Sequence, residues 1–365
     1  MKRREFIKGA AAAGVATAAA TTLAAPAISQ GRKQWVVASS FGKAGILGRH
    51  LDAFGDFVGK ATDGQLTMKV FHAGELVGAF ENFDAVEGGT AQMGMGAPYY
   101  WAGKSNAISF IAAMPFGLNA QEQNAWMYYA GGIETANKVY NQFGLKFLPM
   151  GNTGNQMGGW YNKEINTIDD FKGLKFRMPG LGGEVLKTFG VSVILLPGGE
   201  ILPGLASGAI DGTEWIGPAA DLGFGLYKAA EFYYFPGWHE PATVLDGFIN
   251  LDAWNDLSSE QQIVIERGAA ATNLLMLSEF QARNDAALQA LLNKHGVKLR
   301  KYPDDVLNAI GQRSGEVLQD IASRDALSTE VFGAITKFRR TAMRWTNTSE
   351  GAFAAARALP FKYPG

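Results

Sequence analysis

The chain has 365 residues, 47% of them hydrophobic and 18% charged, with 46 glycines and a formal net charge of −1. That length exceeds what one hydrophobic core usually serves and points to two lobes; the composition excludes a disordered chain, and the near-neutral charge leaves no nucleic-acid footprint. The absence of cysteine excludes disulfides, iron–sulfur clusters, attached haem and cysteine-type zinc sites. The four histidines (His50, His72, His239, His295) show no zinc-ligand spacing and read as surface or packing residues, and no Gly-x-Ser-x-Gly nucleophile elbow is present.

Residues 1–30 combine a basic start, an Ala-rich stretch and an Ala-Pro-Ala segment at 25–27, which reads as a secretory leader; Arg3 and Arg4 before Glu5-Phe-Ile-Lys8 give it the twin-arginine form. Its four basic residues and one acid leave 29 basic against 33 acidic residues, a charge of −4, on the mature chain. No later segment approaches the apolar length of a membrane span. Gln34–Ser39 reads as a strand, Gly48–Thr62 as a helix, Leu66–Phe71 as a strand, Glu81–Val86 as a helix and Ala91–Met95 as a strand running into Ala97-Pro-Tyr-Tyr-Trp101. Asn119 and Glu122 form a capping box for a helix to Phe143, stopped by Gly144. Strands follow at Lys146–Met150 and Gln156–Tyr161, around a Gly-Asn-Thr-Gly turn. Thr167 caps a short helix, Leu174–Met178 is a strand, Gly183–Phe189 a helix, Val191–Leu196 a strand, Glu200–Ala206 a helix and Ala209–Trp215 a strand. This alternation with short connections is the signature of parallel α/β sheets. After a strand at Val244–Asn250 the chain turns helical. Residues 259–294 form one amphipathic stretch of about 50 Å, long enough to cross both lobes.

Ligands in open α/β sheets bind outside the carboxyl ends of the strands. Leu174, Phe176 and Met178 share one strand face, so Arg177 points the other way at the strand's end, where its fork suits a carboxylate; a surface arginine on an edge strand is the competing reading. Gln156, Glu214, Trp215 and Glu240 sit in similar strand-end or glycine-bearing loops, and either acid could instead be a solvated loop residue. If a ligand carboxylate is cancelled by Arg177, the two acids leave about −2, a sum that a cation such as Na⁺ or Ca²⁺ repairs with Gln156 and carboxylate oxygens as hard ligands.

The twin-arginine leader, Lys175-Phe-Arg-Met-Pro-Gly180, Gly151-Asn-Thr-Gly-Asn-Gln-Met-Gly-Gly-Trp160, Ala209-Ile-Asp-Gly-Thr-Glu-Trp-Ile-Gly-Pro218 and the long C-terminal helix together resemble the solute-binding proteins of tripartite ATP-independent periplasmic (TRAP) transporters, the DctP-like family. The resemblance spans essentially the whole mature chain, and its more particular motifs are similar to the 2-oxoacid-binding subgroup. It implies an α/β, two-lobe periplasmic binding fold with two crossing strands near 151–160 and 243–250 and the long helix laid across both lobes. It divides the chain into 31–154 plus 243–280 as one lobe, 155–242 plus 281–340 as the other, and 341–365 as a helical tail. It implies that Arg177 clamps a ligand carboxylate, that Gln156, Glu214 and the Trp215 carbonyl hold a cation that the substrate also holds, and that Glu240 joins them, in a loop that departs from the subgroup pattern. Tyr99 and Tyr100 become ligand-covering aromatics of the opposite lobe, and Asn152 joins the substrate-contacting set. The implied ligand is a 2-oxo or 2-hydroxy monocarboxylate, the implied partners are the small and large TRAP membrane subunits, and residues after Thr336 are candidates either for a homodimer contact or for packing on their own lobe. Two rivals compete: an exported hydrolase using Glu214 and Glu240 as acid and base, and a binding protein for an ATP-driven transporter.

Overall fold

Residues 31–363 are described by the computed structural model; the leader expected at 1–30 lies outside the described residues. The strands are β1 (Lys33–Ser39), β2 (Leu66–Phe71), β3 (Met93–Gly96) and β4 (Leu145–Asn152), then β5 (Gly159–Tyr161), β6 (Lys175–Arg177), β7 (Ser192–Ile194), β8 (Gly212–Thr213) and β9 (Phe232–Phe235), and finally β10 (Val244–Asn250) and β11 (Lys298–Lys301). They form two sheets, ordered β2-β1-β3-β10-β4 and β11-β9-β5-β8-β6-β7. Both sheets are mixed rather than wholly parallel: β10 runs antiparallel to β3 and β4, and β5 antiparallel to β8 and β9. The reversed strands are those that carry the chain across. Residues 153–158 leave β4 for β5, and 236–243 return from β9 to β10, so the two crossing segments lie side by side between the lobes.

A third connection is the helix Ser259–His295, 37 residues long, or about 55 Å. Ser258 and Gln261 close its N-terminus as a capping box, and Gly296, at φ 69°, ends it in a left-handed turn that a side chain would oppose. Its buried face packs on the helix Ile46–Ala61 and β4 in the first lobe and on the helix Pro218–Phe224 in the second. The helix Asp304–Ala322 then lies against Gly180–Lys187 of the second lobe, while Ala326–Thr348 lies against Asn106–Ala112 and Gly132–Tyr140 of the first. Trp345 in its last turn, and Phe353, Leu359, Phe361 and Tyr363 beyond it, stand exposed. No helix among the described residues is long and apolar enough to cross a membrane.

Three local expectations change. The Asn119–Glu122 capping box forms, but the helix it starts ends at Tyr129, because Gly131 turns left-handed at φ 82° and a second helix begins at Gly132. The strand expected over Ala209–Trp215 narrows to β8, two residues long, wedged between β5 and β6. Gly212 permits that approach: a Cβ there would lie 2.6 Å from the Trp160 carbonyl and from the Phe176 ring. The helices Asn106–Ala112 and Pro218–Phe224 and the strands β9 and β11 are not foreseen from periodicity.

Candidate ligand and cation site

Arg177 ends β6, where Phe176 points into the second-lobe core and stacks on Tyr161 with centroids 4.9 Å apart. The alternation of the strand therefore sends the guanidinium toward the gap between lobes, yet only 1% of the residue is exposed. A surface arginine is thereby excluded. Its Nε donates to the Leu196 carbonyl (3.1 Å) and its Nη1 to the Glu214 carbonyl (3.2 Å) and to the Glu214 carboxylate. The Trp215 ring lies beneath it, 5.3 Å from ring centre to guanidinium carbon. Arg177 and Glu214 are expected as separate holders of ligand and cation; here they touch, as two buried opposite charges do in a medium that solvates neither.

The second acid comes from the crossing segments. Glu240 Oε2 accepts from Gln156 Nε2 at 2.8 Å, from Tyr99 Oη at 3.3 Å and from the Thr243 hydroxyl. The two segments are also pinned backbone to backbone, Gln156 N donating to Glu240 O (3.3 Å) and Gly237 N to Gln156 O (3.0 Å). Gly237 is what lets them meet, since a Cβ there would sit 2.3 Å from the Gln156 oxygen. Tyr99 reaches across from the first lobe, so Glu240 is held by a first-lobe residue and by residues of the two crossing segments.

His239, read from the sequence as a packing residue, belongs to this cluster. Its Nε2 lies 3.4 Å from Glu214 Oε2, and one ligating atom each from Glu214, His239 and Glu240 fall within 4.8 Å of one another. The available signal was its position next to Glu240 in the Pro236-Gly-Trp-His-Glu-Pro241 loop. Asn152 is not brought into the cluster: its amide donates to Gln123 (3.0 Å) and its carbonyl accepts from Gly154 N (2.8 Å), bracing the start of the first crossing. Tyr100 is half-buried with its ring against Phe41 and Phe80, 6.3 and 4.8 Å between centroids. The cluster, a candidate site, thus groups Arg177, Glu214, Trp215, Gln156, Glu240, Tyr99 and His239, with Tyr100 at its edge.

Burial dominates the electrostatics. It lifts Glu214 to about 7 against the pull of Arg177, and lifts Glu240 to about 7 with Glu214 adding to the rise. It also drives His239 down to about 4, outweighing the attraction of Glu240, so the imidazole is neutral. Ionised, the two carboxylates against one guanidinium leave a buried charge of −1. Several polar atoms here are buried without a hydrogen-bond partner: Gln156 Oε1, Glu214 Oε2, Arg177 Nη2 and both His239 ring nitrogens. Such orphans are costly unless something satisfies them. The neutral amide oxygen and carboxylate oxygens fit a hard cation, and the unfilled Arg177 N–H fits an anion's oxygen.

The chain as a whole is similar to known proteins. Residues 38–325 match the family model of bacterial extracellular solute-binding protein, family 7 (DctP). A monocarboxylate 2-oxoacid-binding periplasmic protein of Nostoc sp. is 41% identical over 96% of this chain and 97% of its own. A TRAP periplasmic solute-binding protein of Pseudoalteromonas atlantica, solved with bound sodium and pyruvate, superposes with a TM-score of 0.87 at 36% identity, over 91% of this chain and all of that one. A TRAP transporter solute-binding protein of Bordetella bronchiseptica, a mixed-occupancy dimer with co-purified calcium and picolinate, gives 0.87 at 33% identity, over 90% of this chain and all of its own. By the extent of these matches, the chain belongs to the family 7 bacterial extracellular solute-binding proteins, with the two-lobe fold of the TRAP receptors.

Proposed function

We propose that this protein is the exported solute-binding subunit of a TRAP transporter. It captures a 2-oxo or 2-hydroxy monocarboxylate together with Na⁺ or Ca²⁺ and hands it to the membrane subunits. The observation that carries this reading is the buried cluster in which one arginine faces two carboxylates and the orphaned atoms include both cation ligands and an anion donor. Gln156, Glu214, Glu240 and the Trp215 carbonyl would hold the cation, which supplies the positive charge that lets an acid enter beside two carboxylates. Arg177 would turn its spare N–H to the acid, and Tyr99 and Tyr100 would cover it from the first lobe. The names of the relatives support the ligand class and the periplasmic location; the leader read at 1–30 supplies the export route. The exposed apolar residues of the C-terminal helices, with the dimeric Bordetella relative, support a homodimer through that tail.

This is a receptor reading and not an enzymatic one. Glu214 is engaged by Arg177 and Glu240 by three donors, so neither carboxylate stands ready as a nucleophile or general base. Titration calorimetry with pyruvate in sodium and in calcium buffers tests the assignment, beside Arg177→Lys. The native protein should bind one acid per chain without turnover, and the lysine variant should bind tenfold to a hundredfold more weakly, since an ammonium cannot reproduce the fork. Absence of binding, or hydrolysis of a glycoside, would overturn it.

A further inference from the structure

Asp246 is a wholly buried acid of the first lobe that the site described above does not use. It lies on β10, opposite Gly96 of β3, where the register of β10 on β4 slips between Leu245 and Asp246. Its Oδ2 accepts from Trp101 Nε1 at 2.9 Å and from the hydroxyl of Tyr140, which ends the helix Gly132–Tyr140. The indole reaches it because Gly96 has no side chain: a Cβ there would lie 2.7 Å from the Trp101 ring. Burying a carboxylate is costly, and an apolar residue would fill the same space at no such penalty. What the acid adds is direction, since a hydrogen bond fixes the rotation of the ring that donates it.

Both ends of this contact lead to Glu240. Trp101 closes the turn Pro98–Trp101, in which Tyr100 N donates to Ala97 O at 2.9 Å and Ala102 N to Tyr99 O at 3.2 Å, so the anchored indole fixes where the Tyr99 ring stands. Tyr99 Oη donates to Glu240 Oε2 at 3.3 Å, long for a hydroxyl–carboxylate bond, so a small rotation of the turn breaks it. From the other side Thr243, three residues before Asp246, donates its hydroxyl to the same carboxylate oxygen. The second lobe repeats the device. There Asp221 Oδ2 accepts from Trp160 Nε1 (2.9 Å) and Tyr233 Oη (2.7 Å), and its Oδ1 accepts from Ile216 N (3.2 Å), next to Trp215.

We propose that Asp246 is a positioning residue of the binding site. Through Trp101 it sets the turn that brings the Tyr99 hydroxyl onto Glu240 across the gap between lobes, and so stabilises the liganded closed form without touching ligand or cation. The proposal rests on the function proposed above.

Titration calorimetry of the full mature chain with pyruvate, in saturating sodium or calcium, tests it on Trp101→Phe, Asp246→Ala and Asp246→Asn, each alone and combined with Tyr99→Phe, beside ligand-free thermal melts. Trp101→Phe keeps a ring but no donor. It and Asp246→Ala should each weaken pyruvate about tenfold, as loss of one buried hydrogen bond to a charged group does, and Tyr99→Phe alone should cost about that factor. In the Tyr99→Phe background the two substitutions should change affinity less than about twofold, because residues acting through one contact do not add, while lowering the melting temperature as much as in the native background. Asp246→Asn keeps an oxygen for both donors and should bind within about threefold of the native chain. Full additivity with Tyr99→Phe, or unaltered affinity in both Trp101→Phe and Asp246→Ala, would overturn the proposal and leave the receptor function intact. An Asp246→Asn chain as weak as Asp246→Ala would overturn it too, by tracing the effect to charge. If Asp246→Ala does not fold, Trp101→Phe decides alone. No binding of pyruvate, 2-oxobutyrate or phenylpyruvate by the native chain would remove the receptor function itself, and this inference with it.

Discussion

Cation and acid binding should be coupled strongly, and the cluster geometry sets the size of the effect. The ligating atoms of Glu214, His239 and Glu240 lie within 4.8 Å of one another, all buried. Two unit charges of like sign at that separation repel by about 3.5 kcal/mol at an effective dielectric of about 20. Arg177 cancels one carboxylate, so an incoming acid meets one uncancelled charge of its own sign unless a cation neutralises it. Cation binding should therefore tighten the acid by about 400-fold, and by linkage the acid should tighten the cation by the same factor. The assay is a tryptophan-fluorescence titration of pyruvate after exhaustive chelation, with sodium replaced by a large organic cation, against the same titration in sodium or calcium; Trp215 beneath Arg177 makes the signal local. Glu214→Gln keeps an oxygen but removes a charge, so it should weaken the cation strongly and shrink the coupling. A pyruvate affinity that changes less than threefold on cation removal would refute the charge argument.

Three further outcomes follow from other parts of the molecule. Gly180 has φ 64° and a Cβ there would meet the Tyr99 ring at 3.0 Å, so Gly180→Ala should cost about 1–2 kcal/mol of stability and weaken ligand binding further by obstructing lobe approach; unaltered affinity by calorimetry would show that this contact plays no part in closure. Asp221, buried, accepts from Trp160 Nε1 (2.9 Å), Tyr233 Oη (2.7 Å) and Ile216 N (3.2 Å). Asp221→Ala strands three donors, at about 1–3 kcal/mol each, offset by relief of a buried acid that burial lifts to about 6; a urea midpoint should report a loss of at least about 2 kcal/mol, and a neutral result would contradict the bookkeeping. Burial alone would raise Glu279, but His50, Arg49 and Arg283 outweigh it and hold it below the usual carboxylate range. Its contribution is therefore present above about pH 4.3 and is lost as pH falls through its folded-state value, so the stability gap between Glu279→Gln and the native chain should narrow in acid; a gap that widens there would reverse the sign.

What was readable from the sequence was whatever is written locally. The Asn119–Glu122 capping box depends on residues three apart, and the long helix on an amphipathic stretch that starts after Ser258. Arg177 was legible because strand alternation separates it from Phe176 and Met178. Other features were hidden for physical reasons. The helix Asn106–Ala112 is apolar and buried on nearly every side, so no period of 3.6 marks it. The two-residue strand β8 exists only because Gly212 lets two neighbouring strands close on it. His239 reads as an ordinary histidine until the second crossing segment folds it against Glu214, 25 positions earlier in the chain. The Arg177–Glu214 pair is hidden in the same way: each residue was singled out, and their contact depends on β6 and β8 being neighbours.

On the function proposed above, the position of the cluster would couple binding to lobe closure. Arg177 and Glu214 belong to the second lobe and Tyr99 to the first, while Gln156 and Glu240 lie in the segments that cross between them. A hinge that opened would separate Tyr99 from Glu240 while leaving the Arg177–Glu214 pair intact, because that pair lies within one sheet. The closed arrangement buries polar atoms that lack partners, so it carries a penalty that ligand and cation together remove. A ligand shifts a conformational equilibrium only by its differential affinity for the two states, and here the difference is located in named atoms: Gln156 Oε1, Glu214 Oε2 and Arg177 Nη2. An acid without its cation satisfies the arginine but aggravates the carboxylates, and a cation without the acid does the reverse. On the proposed function only the pair would settle both, and a closed form would then report that both have been captured.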